Sequence, residues 1–344
     1  MKYKLYTTCA KAWGAMLEAM EQAQKSIYIE MYIFSDDTRD DFDFMGKIKQ
    51  KASEGIKVVV VADAFGSKAL KKQTMENLQQ AGVEFIFFSH WLRHIHRKIL
   101  IIDEKIAFVG GVNIGKRFLH WNDLQLQITG TIVKKILSSF SYTYKMAGGK
   151  NETILKHKDK KITAQLKFWI LDHWPSKNIY SLKEHYIKKI TRAEKKIQII
   201  TPYFAPPRWM ISLLDDASRR NVRIEILIPR KSDLPLIDKL NYFYMNKLHQ
   251  VGVNFYLVKD MNHSKLLLID DKEGVLGSQN IDHLSFKINA EIGIFFQEKS
   301  LIKKLSEVTE QWKKDSVQFH PQQYKSKIID FLIFAMVKIL HPIL

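Results

Sequence analysis

Apolar and polar positions along this chain follow two periods, and the sequence of periods runs through twice. Trp13, Met16, Leu17 and Met20 recur at helical spacing, as do Leu182, Tyr186, Ile187 and Ile190, and each set predicts an amphipathic helix. A strand rich in β-branched and aromatic residues follows: "AQKSIYIEMYIF" (23–34) in one place and "AEKKIQIITPYF" (193–204) in the other. A second helix leads into "KVVVVAD" (57–63) or "RIEILIP" (223–229), continuous apolar runs that read as strands buried on both faces. A third helix ends near Gly82 or Gly252, where glycine suits the stop, and a short strand comes next ("AGVEFIFF", "VGVNFYLV"). Alternating helix and strand patterns predict an α/β protein with a largely parallel or mixed sheet.

The offset between the copies is nearly constant, so the pattern is that of a duplicated domain and not of a short-period solenoid. The two halves are expected at residues 1–147 and 148–320. The junction lies in the glycine- and lysine-rich stretch 146–165, where Gly148 and Gly149 break the helical pattern. Residues 321–344 form a third segment, "KIIDFLIFAMVKILHPIL" from Lys327. It is strongly apolar but interrupted by Asp330, Lys338 and His341. It falls short of the roughly 20 apolar residues of a spanning helix. Its profile fits a helix lying in a membrane interface, with a buried core helix as the competing reading. The first residues, "MKYKLYTTCAKAWGAMLEAMEQ", show neither a signal peptide nor a spanning helix.

Composition narrows the partners. Hydrophobic residues make up 46% of the 344, ample for a packed core. Lys and Arg number 54 against 36 Asp and Glu, a formal charge of +18 that suits an anionic partner such as nucleic acid, an acidic membrane surface or a phosphate-bearing substrate. The single cysteine, Cys9, excludes an internal disulfide framework and a cysteine zinc site.

The chemistry lies in a motif present in both halves. "HRKILIIDEKIAFVGGVN" starts at His96 and "HSKLLLIDDKEGVLGSQN" at His263. In both, Lys follows His by two positions (Lys98, Lys265), Asp by seven (Asp103, Asp270), Gly by fourteen (Gly110, Gly277) and Asn by seventeen (Asn113, Asn280). Residues at even separation on a strand share a face, so each His–Lys pair is expected to enter one cavity. Lysine is a compact cation suited to a phosphate oxygen. Asp, at odd separation, is expected to accept a hydrogen bond across the repeat and orient a His. Gly110–Gly111 and Gly277–Ser278 permit close backbone approach. The asparagines supply an amide for an oxyanion or a His tautomer. The apolar filler drifts between the copies while these types do not, and core packing alone would not select them. Phosphodiester transfer through a covalent intermediate needs one neutral His to attack phosphorus and one protonated His to serve the leaving alkoxide. Two lysines supply the electrostatic role that a metal would otherwise take, so no metal or cofactor is expected. His94 and His96 would share a strand face and chelate, but no third ligand is evident.

His-x-Lys-x4-Asp-x6-Gly-[Gly/Ser]-x-Asn, present twice, resembles the phospholipase D superfamily, and within it the bacterial cardiolipin synthases. "FVGGVNIG" from Phe108, "WND" from Trp121, "TPYF" from Thr201, "GSQNIDHLSFKINAE" from Gly277 and the terminal "ILHPIL" extend the likeness over nearly the whole chain from about residue 5. The resemblance implies two tandem α/β/α halves related by a pseudo-twofold and sharing one central active site. It implies a phosphohistidine intermediate with His96 as nucleophile and His263 as general acid, in which two phosphatidylglycerols give cardiolipin and glycerol. By the same likeness Asp123 and Glu291 would orient a His; a surface carboxylate at a strand start is the competing reading for each. Many relatives begin with spanning helices, and the residues present predict none, so membrane contact is expected from the C-terminal helix and basic patches. That places the protein at the cell membrane, peripheral or monotopic, on the cytoplasmic face. "RHIHRK" before the first motif and "APPRW" after Phe204 depart from the family pattern and bear on substrate choice. A phospholipase D-type hydrolase or nuclease with water as acceptor is the alternative, although no base-reading motif is present to favour nucleic acid.

Overall fold

The computed structural model describes residues 2–90, 93–157 and 167–321. The third sequence segment, 321–344, therefore lies outside the described residues except for Pro321. The chain divides into two compact units, Met1–Ile170 and Leu171–Leu344.

The first unit runs β1 (Tyr3–Thr8), α1 (Cys9–Glu21), β2 (Ser26–Met31), α2 (Phe44–Ser53), β3 (Lys57–Asp63), α3 (Lys72–Gln80), β4 (Glu84–Phe88), β5 (Lys98–Ile102), β6 (Ile106–Gly110), β7 (Asn122–Thr129), α4 (Ile132–Met146) and α5 (Glu152–Leu155). Its sheet has the order β1-β7-β6-β5-β2-β3-β4. β2, β3 and β4 are parallel, and β5, β6, β7 and β1 continue antiparallel. β2 and β3 are buried almost throughout because helices cover both faces. On one face Trp13 and Met16 of α1, Phe44 and Ile48 of α2 and Leu78 of α3 pack on Ile27, Ile29, Val58 and Val60. On the other, Phe140 of α4 stacks on Tyr28 at 5.4 Å. The Thr8 hydroxyl accepts from Lys11 N and the Asp43 carboxylate from Gly46 N, which caps α1 and α2. Gly82 and Gly252 take positive φ past the third helix of each half, as their spacing predicts.

β8 (Phe168–Trp174) crosses the division, and the second unit continues with β9 (Ile179–Tyr180), α6 (Ser181–Thr191), β10 (Lys196–Ile200), β11 (Phe204–Ala205), α7 (Arg208–Arg219), β12 (Arg223–Pro229), α8 (Pro235–His249), β13 (Asn254–Val258), β14 (Leu266–Ile269), β15 (Glu273–Gly277), β16 (Ile281–Asp282), α9 (His283–Lys287), β17 (Glu291–Phe296), α10 (Lys299–Lys314) and β18 (Ser316–Gln318). Its sheet order is β18-β13-β12-β10-β14-β15-β17-β8-β9. Without the end strands β18 and β9 this is the order of the first sheet read in reverse, with β10 in the place of β2 and β14 in the place of β5. The duplication seen in the sequence is thus a duplication of topology, in a mixed sheet.

The contact division at 170/171 falls later than the composition break at 147/148. Hydrogen bonds tie the intervening chain to the first unit: Asn151 N donates to the Tyr144 hydroxyl at 2.9 Å, and Lys57 Nζ donates to Thr153 Oγ1 at 2.6 Å. Among the described residues no helix is long and apolar enough to cross a membrane.

Candidate active site

In each unit the motif His and Lys sit where the antiparallel strand begins, opposite the carboxyl end of the first parallel strand. Lys98 pairs with Met31, the last residue of β2, and Leu266, just after Lys265, pairs with Ile200, the last of β10. Carboxyl ends of parallel strands are where open α/β sheets place ligands.

The two pairs are built alike. Lys98 is fully buried, and its Nζ donates to the backbone carbonyl of His96 at 2.6 Å. The same ammonium lies 5.0 Å from the centre of the Tyr32 ring, and the His96 ring meets that tyrosine edge-on at 4.7 Å. The shared tyrosine places His96 and Lys98 on one side, as their spacing predicts. In the second unit Lys265 Nζ donates to the His263 carbonyl, and the His263 ring meets Tyr203 edge-on at 6.3 Å. A buried ammonium is costly unless partnered, and here each is held by a carbonyl in a fixed position. Such a fixed cation needs little reorganisation when negative charge develops beside it.

Asp103 and Asp270 have a different place from the one expected of them. Neither is a His-orienting group. The Asp103 carboxylate accepts from the backbone N–H groups of Gln24 (3.0 Å), Lys25 (2.7 Å) and Ser26 (2.9 Å), at the start of β2. Asp270 does the same for Glu194 (3.0 Å), Lys195 (2.7 Å) and Lys196 (2.9 Å), at the start of β10. Each stands at the far end of its strand from the His, in a left-handed backbone conformation (φ 52° and 54°) that Asp tolerates. Burial pushes both carboxyls up, but the backbone donors outweigh it and hold them below the ordinary carboxylate value. Odd separation indicated only that Asp lies off the His–Lys face; the strand end decided where.

The remaining motif residues frame the pairs. Asn113 is buried; its Oδ1 accepts from Ile33 N at 3.3 Å and its carbonyl from Trp13 Nε1 at 2.9 Å. Asn280 is also buried and donates its backbone N–H to Ser285 Oγ at 3.0 Å. Asp123 and Glu291, read as orienting or surface carboxylates, are both fully buried. They face equivalent positions: a Cβ at Gly111 would stand 2.2 Å from Asp123 Oδ1, whereas in the other unit Ser278 donates its hydroxyl to Glu291. The first unit thus joins a small residue to the shorter acid and the second a hydroxyl to the longer one. A Cβ at Gly110 or Gly277 would stand 2.2 Å from a backbone carbonyl of the neighbouring strand, so glycine is required at both.

Sequence reasoning missed Tyr32 and Tyr203. The available signal was an aromatic just past the apolar strand in both copies, "YIF" and "PYF", one position out of repeat register. It also missed the partner of His94, whose Nδ1 lies 3.3 Å from Asp63 Oδ1.

Comparison with known proteins agrees with this construction. The family model described as "Cardiolipin synthase, PLD-like domain" matches residues 16–141 and again 186–312, one match per unit. Cardiolipin synthase 1 of Bacillus anthracis is 29% identical over 99% of this chain and 72% of its own length. The cardiolipin synthase of Oceanobacillus iheyensis is 30% identical over 88% of this chain and 66% of its own length. Among solved structures, a phosphatidylserine synthase of Haemophilus influenzae superposes with a TM-score of 0.78, covering 99% of this chain and 94% of its own. At 15% identity that likeness concerns the fold. A fold of two phospholipase D-like halves, a His–Lys pair at the same strand edge in each, and a family model that matches both halves lead to one conclusion: this chain belongs to the cardiolipin synthase, PLD-like domain family.

Proposed function

We propose that the protein is a phosphatidyltransferase of cardiolipin synthase type, which joins two phosphatidylglycerols and releases glycerol. The observation that carries this reading is the doubled His–Lys pair, each lysine fixed on its own histidine's carbonyl at the same strand edge. Two histidines suffice for the two proton and nucleophile roles if both pairs serve one phosphorus.

His96 attacks the phosphorus of the first phosphatidylglycerol, forming a P–N bond as the P–O bond to glycerol breaks. The leaving alkoxide takes a proton from His263. The hydroxyl of a second phosphatidylglycerol then gives its proton to His263 and attacks phosphorus. The P–N bond breaks, and both histidines return to their starting state. Lys98 and Lys265 neutralise the phosphoryl oxygens, and Asn113 and Asn280 offer amides to the same charge. Asp123 and Glu291 orient the histidines; Asp103 and Asp270 act only through the strands they hold. The basic surface and residues 321–344 bring the protein to the anionic membrane that holds its substrate.

The test is incubation of the purified protein with phosphatidylglycerol vesicles, without added metal, followed by mass spectrometry beside His96→Ala and His263→Ala. Cardiolipin plus glycerol, absent in both variants, is expected. Phosphatidic acid in place of cardiolipin would mean water is the acceptor. Full turnover by His263→Ala would refute the paired-histidine mechanism.

A further inference from the structure

Few large apolar side chains are exposed among the described residues, and two of them occupy the same topological position. Phe65 (59% exposed) lies in the loop after β3, and Leu234 (45% exposed) in the loop after β12, its counterpart. Each loop is joined by a short chain of contacts to the motif histidine of its unit. The Phe65 ring packs on His94 at 4.9 Å, His94 meets Tyr32 at 6.2 Å, and Tyr32 meets His96. In the second unit Asp233, beside Leu234, accepts from the Tyr203 hydroxyl at 2.6 Å, and Tyr203 meets His263.

Neither loop is slack. Asp63 Oδ1 accepts from Phe65 N (3.0 Å) and Gly66 N (2.9 Å), and its Oδ2 accepts from Ile95 N (3.0 Å). Gly66 runs so close to β2 that a Cβ there would stand 2.2 Å from the Tyr32 carbonyl. Ser232 N donates to the Asp238 carboxylate, and Leu234 N donates to Ser232 Oγ at 3.1 Å. The apolar tips are thus held in place by satisfied backbone. Cations flank them in the chain: Lys68, whose Nζ lies 5.3 Å from the Phe65 ring, and exposed Lys71 by the first; exposed Arg230 and Lys231 by the second, where the neighbouring carboxylate of Asp233 is taken up by the Tyr203 hydroxyl.

We propose that these two loops are contacts with an anionic lipid bilayer, with Phe65 and Leu234 entering the boundary between headgroups and acyl chains and the flanking cations meeting lipid phosphates. An apolar tip flanked by cations matches that boundary in both of its layers. The inference rests on the reading that the substrate is a phospholipid. It adds that each half carries its own membrane contact, separate from residues 321–344.

The experiment uses the full chain and its Phe65→Ser, Leu234→Ser and double variants. Binding is measured by co-sedimentation with phosphatidylglycerol–phosphatidylcholine vesicles, and turnover is measured on dissolved short-chain phosphatidylglycerol. Removing a ring that is half exposed in water but buried in lipid should weaken vesicle binding roughly tenfold for Phe65→Ser. Leu234→Ser should weaken it severalfold and the double variant further. Short-chain turnover and thermal unfolding should not change. Lys68→Gln should weaken binding mainly at low salt. Vesicle binding equal to wild type in the double variant would overturn the proposal. So would a parallel loss of short-chain turnover, which would make Phe65 part of the substrate site. If the wild type turned over no phosphatidylglycerol yet lost vesicle affinity on substitution, the docking would stand and the proposed activity would fail.

Discussion

Asp103→Asn separates the roles of the motif residues most sharply. Asp103 accepts three backbone N–H groups, and these donors differ in environment. Ser26 is buried, whereas Gln24 and Lys25 are exposed. Loss of the charged acceptor leaves one donor without access to water, which costs about 1–3 kcal/mol, and two that water can satisfy at about 0.5 kcal/mol each. Asparagine keeps one oxygen and tolerates the left-handed backbone, so Asp103→Asn should lose about 1–2 kcal/mol. Alanine keeps neither, and Asp103→Ala should lose about 2–4 kcal/mol. The assay is urea unfolding of both variants at pH 7, with turnover expressed per folded molecule. The Asp103→Asn deficit should shrink as pH falls: the folded carboxyl lies below its ordinary value, so its stabilisation is present above that range and is lost on acidification through it. His96→Ala should show the opposite pattern, with lost turnover and near-normal stability. A fully stable Asp103→Asn enzyme with collapsed turnover would refute the reasoning and return Asp103 to the chemistry.

Other expectations follow from contacts already described. Gly111→Ala places a Cβ 2.2 Å from the Asp123 carboxylate. It should fold and lose turnover as the acid is displaced, whereas Gly110→Ala, which meets the Leu124 carbonyl, should lose about 1–3 kcal/mol of stability; circular dichroism and turnover distinguish them. Arg97 and Glu30 form a buried ion pair at 3.0 Å in the first unit. Arg97→Ala should cost about 3–5 kcal/mol in urea unfolding, while the double change Arg97→Met with Glu30→Leu should recover most of it. Ser264 and Ile200 occupy the corresponding positions of the second unit, which shows that this fold does not need a pair there. Burial, aided by Lys189 and Lys188, pushes the pKa of His185 down to about 3. The unfolded chain therefore binds the extra proton first. Stability should fall by up to about 1.4 kcal/mol per pH unit below 6.5, and His185→Gln should remove that slope between pH 7 and 5.

Much of this architecture was legible because the chain states it twice. One apolar run such as "KVVVVAD" does not define a topology, but two at a common offset imply one fold used twice, and the sheet orders agree. β1 escaped notice: in "YKLYTT" only Leu5 is buried, so an edge strand lying on β7 carries almost no alternation to read. The His–Lys face was legible from parity, since period two is a property of any strand. The place of Asp103 was not, because its partners are backbone amides nearly eighty residues earlier, and amides leave no mark on residue types. Asp123 and Glu291 were identifiable by position, but their fit to Gly111 and Ser278 appears only in three dimensions.

The carboxylate at the far end of each motif strand has one more consequence. Lys98 lies opposite the last residue of β2, and Asp103 holds the amides at its start, so the four residues between them span the strand they pair with. The motif's internal spacing is therefore a ruler. Both ends are anchored to the neighbouring strand, and a slip of one residue would turn every side chain to the opposite face. "ILII" and "LLLI" are interchangeable as filler because either packs a core, but their number is not free. One residue more or fewer would leave Asp on its amides and turn His and Lys to the opposite face of the sheet. The count in His-x-Lys-x4-Asp, which reads as a chemical signature, is at this point a measured length of β-sheet.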